Sequence, residues 1–162
     1  MAISELRPWP NSAAGAAAAI PVVLAAAAGN FATIPNLAPW YAGLVKPGFN
    51  PPNWLFGPVW TVLYLAMMVA AWRVLRIGPT RAAIAAFAFQ LVLNAAWSFA
   101  FFGGHSPGFG LVVILALDAA VLATIAAFAR LDRAAALLLV PYAAWIAFAT
   151  ALNAAIWILN RG

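Results

Sequence analysis

The chain has 162 residues, of which 67% are hydrophobic and only 7% are charged, and its mean hydropathy is +1.00. Soluble domains carry about 25% charged residues, so this composition excludes a soluble domain and predicts a membrane protein. The net charge of +5 comes from basic residues scattered between apolar segments, which excludes a basic nucleic-acid-binding face. Cysteine is absent, which excludes disulfides, thiolate chemistry and cysteine-ligated metals.

Apolar segments along the chain are long enough to cross a bilayer as helices, which takes about 20 residues each. They cover approximately residues 13–31, 58–75, 82–102, 108–129 and 134–159. Because the backbone groups of a spanning segment must be hydrogen-bonded within the protein, we predict an all-α fold, a single bundle of five transmembrane helices over residues 1–162. The first segment could also be a signal peptide, but it is long for one and follows a weakly basic head, so a first transmembrane helix is favoured.

The connection between the first two predicted spans, residues 32–57, is unusually long. Between Gly43 and Pro52 it contains three prolines and two glycines. Each proline removes a backbone donor and restricts the residue before it, so neither a helix nor a central strand fits there. A loop of this length is usually functional or disordered, and its aromatic content argues against disorder. We therefore predict that residues 32–57 form a structured lid.

Basic residues are distributed unequally between the two predicted sides of the membrane. The head and the connections after the second and fourth spans contain Arg7, Arg73, Arg76, Arg81, Arg130 and Arg133. The other side contains Lys46 and Arg161. By the positive-inside rule, the N-terminus faces the cytoplasm, and the long loop and the C-terminus lie on the opposite side.

Aromatic and polar side chains recur at helical spacing on three of the predicted spans. The second span has Trp60, Tyr64 and Met67, the third has Gln90, Asn94, Trp97 and Phe101, and the fifth has Tyr142, Trp145, Ala149, Leu152 and Asn153. Residues three or four apart share a helix face, so these faces either converge on one pocket or form ordinary helix contacts. Such a pocket would suit a flat, largely apolar ligand with a carbonyl or carboxylate group.

Two ionisable residues lack a neighbouring partner in this pattern. Asp118 lies near the middle of the fourth span, where it is either a functional acid or a neutral acid that donates a hydrogen bond to a neighbouring helix. His105 lies alone in the connection before that span, and one histidine does not make a metal site. The sequence therefore predicts no metal site.

Three stretches resemble the TspO/MBR family, whose members are called translocator proteins, tryptophan-rich sensory proteins or peripheral-type benzodiazepine receptors. They are WYAGLVKPGFNPPNWLFGPVWTVLY from Trp40, QLVLNAAWSFAFFG from Gln90 and PYAAWIAFATALN from Pro141. The resemblance implies a five-helix membrane bundle whose pocket binds porphyrins such as protoporphyrin IX as ligands, with no cofactor required. Animal members also bind cholesterol, but the tyrosine of their proposed sterol motif is missing after Leu152, so sterol recognition is not inferred.

The resemblance also implies roles for individual residues. Trp60 and Trp145 match pocket tryptophans implicated in light-dependent porphyrin breakdown, which makes them the candidate catalytic residues if the protein is a porphyrin-degrading enzyme. Together with the helical stripes, it gives these candidate ligand-binding residues: Trp40, Trp54, Phe56, Trp60, Tyr64, Gln90, Asn94, Trp97, Tyr142, Trp145, Ala149 and Leu152.

A porphyrin-binding receptor or sensor in a bacterial cell membrane is the leading functional hypothesis, and a light-dependent enzyme is the second. A porphyrin or small-molecule transporter is the third, although the five spans contain no evident inverted repeat. Small residues on the first and third spans also favour a homodimer.

Overall fold

The computed structural model describes residues 6–161, and this range is helical without strands. Its helices are α1 (Asn11–Thr33), α2 (Asn53–Ile77), α3 (Arg81–Ser98), α4 (Pro107–Ala129), α5 (Arg133–Leu138) and α6 (Val140–Leu159). A 3₁₀ turn (Ile34–Asn36) and a π-helical turn (Leu37–Tyr41) extend α1, and a π-helical turn (Phe99–Gly103) extends α3. The ends of the predicted domain, residues 1–5 and 162, lie outside the described range.

Five helical segments of the described range are long and apolar enough to cross a membrane. They are Asn11–Tyr41, Asn53–Ile77, Arg81–Gly103, Pro107–Ala129 and Arg133–Leu159, so that α5 and α6 together form the fifth span. The all-α bundle predicted from composition is therefore confirmed.

The helix ends on the side of the basic connections are set by local sequence. Thr80 caps α3, because its hydroxyl oxygen accepts a hydrogen bond from the Ala83 backbone N–H at 3.1 Å. Gly78 ends α2 with φ +100°, and a Cβ at this position would lie 2.9 Å from the Leu6 carbonyl oxygen. Only glycine fits both the backbone angle and the close approach of the N-terminal segment.

The packing order of the helices leaves a space at one end of the bundle. α3 packs between α1 and α4, and α6 packs on α4. α2 packs on α1 and α5. The N-terminal part of α2 is separated from α6 by a cavity, to which residues 53–68 of α2 and 145–156 of α6 both contribute.

The long connection contains more helix than predicted. Helical turns follow α1 as far as Gly43, with one break at Ala38, whose φ of −133° and ψ of 136° are non-helical. α2 begins at Asn53 rather than at Pro58, so residues 44–52 are the longest non-helical part of the connection. α2 accommodates Pro58 because the bond that it removes belongs to the carbonyl of Trp54, a residue that is 72% exposed.

The non-helical part of the connection is attached to the end of α6. The Asn160 side chain accepts a hydrogen bond from the Val45 N–H at 3.0 Å and donates one to the Val45 carbonyl at 2.9 Å. Phe49 packs edge-on against Phe148, with ring centroids 6.2 Å apart. These contacts hold the loop across the end of the bundle, but the residues of the connection that line the cavity belong to its helical ends.

At the opposite end of the bundle, an ion pair joins α2 to the turn between α4 and α5. Arg73 Nε donates to Asp132 Oδ2 at 2.7 Å. The Asp132 carboxylate also caps α5, accepting from the backbone N–H groups of Ala134 at 2.8 Å and Ala135 at 3.3 Å. The hydrogen bond from Arg73, supported by the two backbone donors, lowers the pKa of Asp132.

We predict that Asp132→Asn removes an acid-dependent part of the stability. A carboxyl whose pKa is lower in the folded state stabilises the protein fully above its unfolded pKa of about 4, and this contribution disappears as the pH falls through the folded pKa. Asparagine keeps the cap of α5 but not the ion pair with Arg73. Because Arg73 is partly exposed, the loss of unfolding free energy at pH 7 should be below about 1 kcal/mol.

The measurement is the thermal unfolding midpoint of both proteins in detergent, at pH 7 and near pH 3.5. The difference between wild type and Asp132→Asn should shrink at the lower pH. An unchanged difference would show that the Asp132 charge does not stabilise the fold.

Candidate ligand-binding cavity

A cavity of about 540 Å³ lies between α1, α2, α3 and α6, at the end of the bundle that carries the long connection. Binding sites for small ligands commonly have volumes of about 300–1,000 Å³. Ile34 of the α1 extension and Leu65 of α2 line the cavity but remain 63% and 56% exposed. The cavity is therefore open to the side, between the first two spans.

Each of the three stripes predicted from the sequence contributes residues to the lining of this cavity. Of the twelve candidate ligand-binding residues, eight line it: Phe56, Trp60, Tyr64, Asn94, Trp97, Trp145, Ala149 and Leu152. Aromatic rings connect neighbouring walls, since Phe56 of α2 lies 5.8 Å from Trp145 of α6, edge to face. The contact of these residues with a ligand remains a prediction.

The structure places the other four candidates outside the lining. Trp54 points away from the cavity and is 72% exposed. Trp40 stacks on His105 instead, with ring centroids 4.7 Å apart. Tyr142 is buried behind Trp60, and Gln90 is buried one helical turn from Asn94 with neither side-chain amide atom hydrogen-bonded.

The first span contributes a wall that the sequence did not predict. Its lining residues are Ala26, Gly29, Asn30, Thr33, Ile34, Leu37 and Tyr41. Gly29 lets α1 approach α3 closely, because a Cβ there would lie 3.2 Å from Ser98 Oγ. One signal for this wall is present in the sequence, because Ala26, Asn30 and Thr33 are spaced four and three residues apart and so share a helix face. The segment is rich in alanine and has no aromatic residue to mark that face.

A chain of hydrogen bonds through Asn94 connects three helices. The Tyr64 hydroxyl of α2 donates to Asn94 Oδ1 at 2.9 Å, and Asn94 Nδ2 donates to the Tyr142 hydroxyl oxygen of α6 at 3.0 Å. Asn94 and Tyr142 are both buried. These polar groups therefore satisfy one another's hydrogen bonds, and the main role of Asn94 is to link α3 to α2 and α6.

A second chain begins at the indole of Trp97. Trp97 Nε1 donates to Asn153 Oδ1 at 3.0 Å, and Asn153 Nδ2 donates to the carbonyl oxygen of Pro107 at 2.7 Å. By contrast, the indole N–H groups of Trp60 and Trp145 have no acceptor within residues 6–161. Of the lining tryptophans, these two retain donors for a ligand.

Charged side chains are absent from the lining that the structure describes. Asp118 lies outside it and accepts a hydrogen bond from the Thr150 hydroxyl at 2.8 Å, which joins α4 to α6. His105 Nε2 lies 2.7 Å from Asn36 Oδ1, on the surface. Residues 6–161 contain no group of three or more side chains arranged to bind a metal ion. The cavity therefore favours a ligand whose buried part is uncharged.

We predict that Asn94 couples Tyr64 to the bundle energetically. Asn94→Leu leaves the hydroxyls of Tyr64 and Tyr142 without their partner, at a cost of about 1 kcal/mol of unfolding free energy, since side-chain hydrogen bonds in membrane proteins contribute about 0.6 and at most about 1.7 kcal/mol. Tyr64→Phe should cost less in the Asn94→Leu background than in the wild type.

The measurement is a double-mutant cycle on denaturant unfolding of the protein in mixed micelles. Thr61→Val is the control, because the Thr61 hydroxyl bonds only to the Gly57 carbonyl of its own helix. Additive effects of Tyr64→Phe and Asn94→Leu would contradict the proposed coupling.

The bundle and its lateral, aromatic cavity define a multi-pass integral membrane protein with an internal cavity that opens between helices. The model of the TspO/MBR family matches residues 17–158, and the chain belongs to this family.

Relatives with established names support this assignment. The tryptophan-rich protein TspO of Archaeoglobus fulgidus is 48% identical over 141 residues, which are 82% of this chain and 88% of the relative. The human translocator protein is 43% identical over 129 residues, 76% of each chain. The tryptophan-rich sensory protein of Cereibacter sphaeroides is 42% identical over 114 residues, 70% of this chain and 72% of the relative.

Proposed function

We propose that this protein is a membrane receptor or sensor that binds porphyrins of the protoporphyrin IX type, and other flat apolar ligands, in the cavity between α1, α2, α3 and α6. The observation that carries the proposal is the pair of indoles of Trp60 and Trp145, which line one cavity from two helices and keep their N–H donors free. The sensor role also follows the names of relatives, one of which is a tryptophan-rich sensory protein.

The chemistry of the lining suits the two parts of such a ligand differently. Indole and phenyl faces pack against a flat macrocycle, and the free indole N–H groups can donate to its polar atoms. Carboxylates are costly to bury without a charged partner, and the described lining has none. The acidic edge of a porphyrin would therefore lie at the end of the cavity beside the long connection, where Asn53 begins α2 and is exposed.

We predict that filling the cavity weakens porphyrin binding while the fold is preserved. Ala149 lines the cavity, and Ala149→Phe places a ring in the volume that the macrocycle would occupy. We expect at least a tenfold loss of affinity. Trp145→Phe removes one indole face and one donor, for which a loss of about two- to tenfold is expected.

The measurement is a titration of the purified protein with protoporphyrin IX, followed by the absorbance of the porphyrin so that the tryptophan content does not affect the signal. Trp54→Phe is the matched control, because Trp54 points away from the cavity and its loss should change the affinity less than twofold. Unchanged affinity in Ala149→Phe, in a protein with a native unfolding midpoint, would exclude this cavity as the site.

A light-dependent breakdown of the bound porphyrin is the second candidate function, since both candidate catalytic residues, Trp60 and Trp145, line the cavity. We predict that porphyrin absorbance decays under illumination with the wild type and persists with Trp60→Phe or Trp145→Phe at saturating protein. Equal decay in the wild type, both variants and Trp54→Phe would leave binding as the function without turnover.

A further inference from the structure

A second concavity lies on the outer surface of the bundle, between α2 and the start of the fifth span. It has a volume of about 570 Å³ and is separate from the porphyrin cavity. Its lining residues are Val62, Leu63, Ala66, Val69 and Arg73 of α2, and Ala134, Leu137, Leu138 and Pro141 of the fifth span. We call this surface the α2–α5 groove. All of its lining residues except Arg73 are apolar.

The α2–α5 groove has the length of one leaflet of a bilayer. Val62 and Arg73 are eleven residues apart on α2, which corresponds to about 16 Å of helix at 1.5 Å per residue. The hydrocarbon core of a bilayer is about 30 Å thick, so one leaflet contributes about 15 Å. Exposed side chains such as Val62, Val69 and Leu137 therefore face lipid chains along the groove, and Arg73 lies at the depth of the headgroups.

The guanidinium of Arg73 is only partly used by the protein. A guanidinium has five N–H donors, and Arg73 uses the one on Nε to bind Asp132. The other four have no acceptor among residues 6–161, and the Arg73 side chain is 40% exposed. Arg76, Arg130 and Arg133 are exposed at the same end of the bundle. With Arg7 and Arg81, six arginines and one aspartate lie at this end of the described range, which therefore has a positive charge.

We propose that the α2–α5 groove binds one anionic glycerophospholipid from the leaflet on the side of the basic connections. An acyl chain packs along the apolar stripe from Pro141 and Val62 toward Arg73, and the phosphate accepts hydrogen bonds from the free N–H groups of Arg73. Arginine binds phosphate in a bidentate manner, and each basic residue near an anionic membrane surface favours anionic lipid. The lipid would bridge α2 and α5 without entering the porphyrin cavity.

The test is native mass spectrometry of the full chain released from micelles that contain phosphatidylglycerol or phosphatidylcholine with identical acyl chains. For the wild type we expect about fivefold more retained phosphatidylglycerol, from the attraction of one basic residue to an anionic headgroup. Arg73→Gln should lose about that factor for phosphatidylglycerol and less for phosphatidylcholine, because the choline cation beside the shared phosphate opposes the Arg73 charge. Ala66→Trp, which fills the groove, should lose both lipids.

Two control variants separate a built site from general surface charge. Arg81→Gln removes an exposed charge that does not line the groove, and Arg161→Gln removes one at the opposite end of the bundle. Each should change lipid retention less than twofold. An equal loss in Arg81→Gln and Arg73→Gln would show a diffuse electrostatic effect and overturn the proposal.

Two further outcomes would also overturn it. Retention of phosphatidylglycerol by Ala66→Trp at the wild-type level would place the lipid elsewhere. A change of oligomeric state in Ala66→Trp without loss of lipid would identify the groove as a contact between copies of the chain. Arg73→Lys keeps the charge but loses the bidentate geometry, and an intermediate retention is expected, which distinguishes lipid binding from a folding defect in Arg73→Gln.

Discussion

The hydrogen bonds of Asn94 to Tyr64 and Tyr142 are the interaction on which the cavity depends. In a bilayer, lipid chains are as apolar as leucine side chains, so burial of apolar surface does not by itself bring two helices together. α2 packs on α1 and α5, and its N-terminal half faces α6 across the cavity, where aromatic rings of the two helices meet. A buried asparagine that reaches both helices fixes the width of that space, because any other spacing would leave its amide unsatisfied.

Much of this arrangement follows from the sequence. Composition predicts the five spans, and the helical spacing of aromatic and polar residues predicts the walls formed by α2, α3 and α6, because polar groups within a membrane must face a partner or a cavity. The sequence predicts Trp54 within the lid, because the apolar segment of the second span begins at Pro58. Trp54 lies instead on α2, where six residues rotate it by roughly 240° from Trp60, so the two indoles point in different directions.

The remaining differences between the predicted and the observed lining come from the depth of a residue within the bundle and from small side chains. Gln90 shares a face with Asn94, but spacing along one helix does not reveal that this turn lies beneath the cavity. The sequence does not predict the wall from α1, because alanine and glycine contribute to a cavity through their small size and not through a recognisable side chain. The two faces of α2 are nevertheless distinct, because Trp60 and Tyr64 line the cavity between α1, α2, α3 and α6, while Val69 and Arg73 line the α2–α5 groove.

The lateral opening beside Ile34 and Leu65 determines the concentration scale on which a dissociation constant for this protein is meaningful. Leu65 lies in the middle of α2, at the depth of the hydrocarbon core, so an apolar molecule can enter after dissolving among the lipid chains. The relevant concentration is then the mole fraction of the molecule in the bilayer. A dissociation constant stated per volume of water will increase as lipid is added, although the contacts within the protein remain the same.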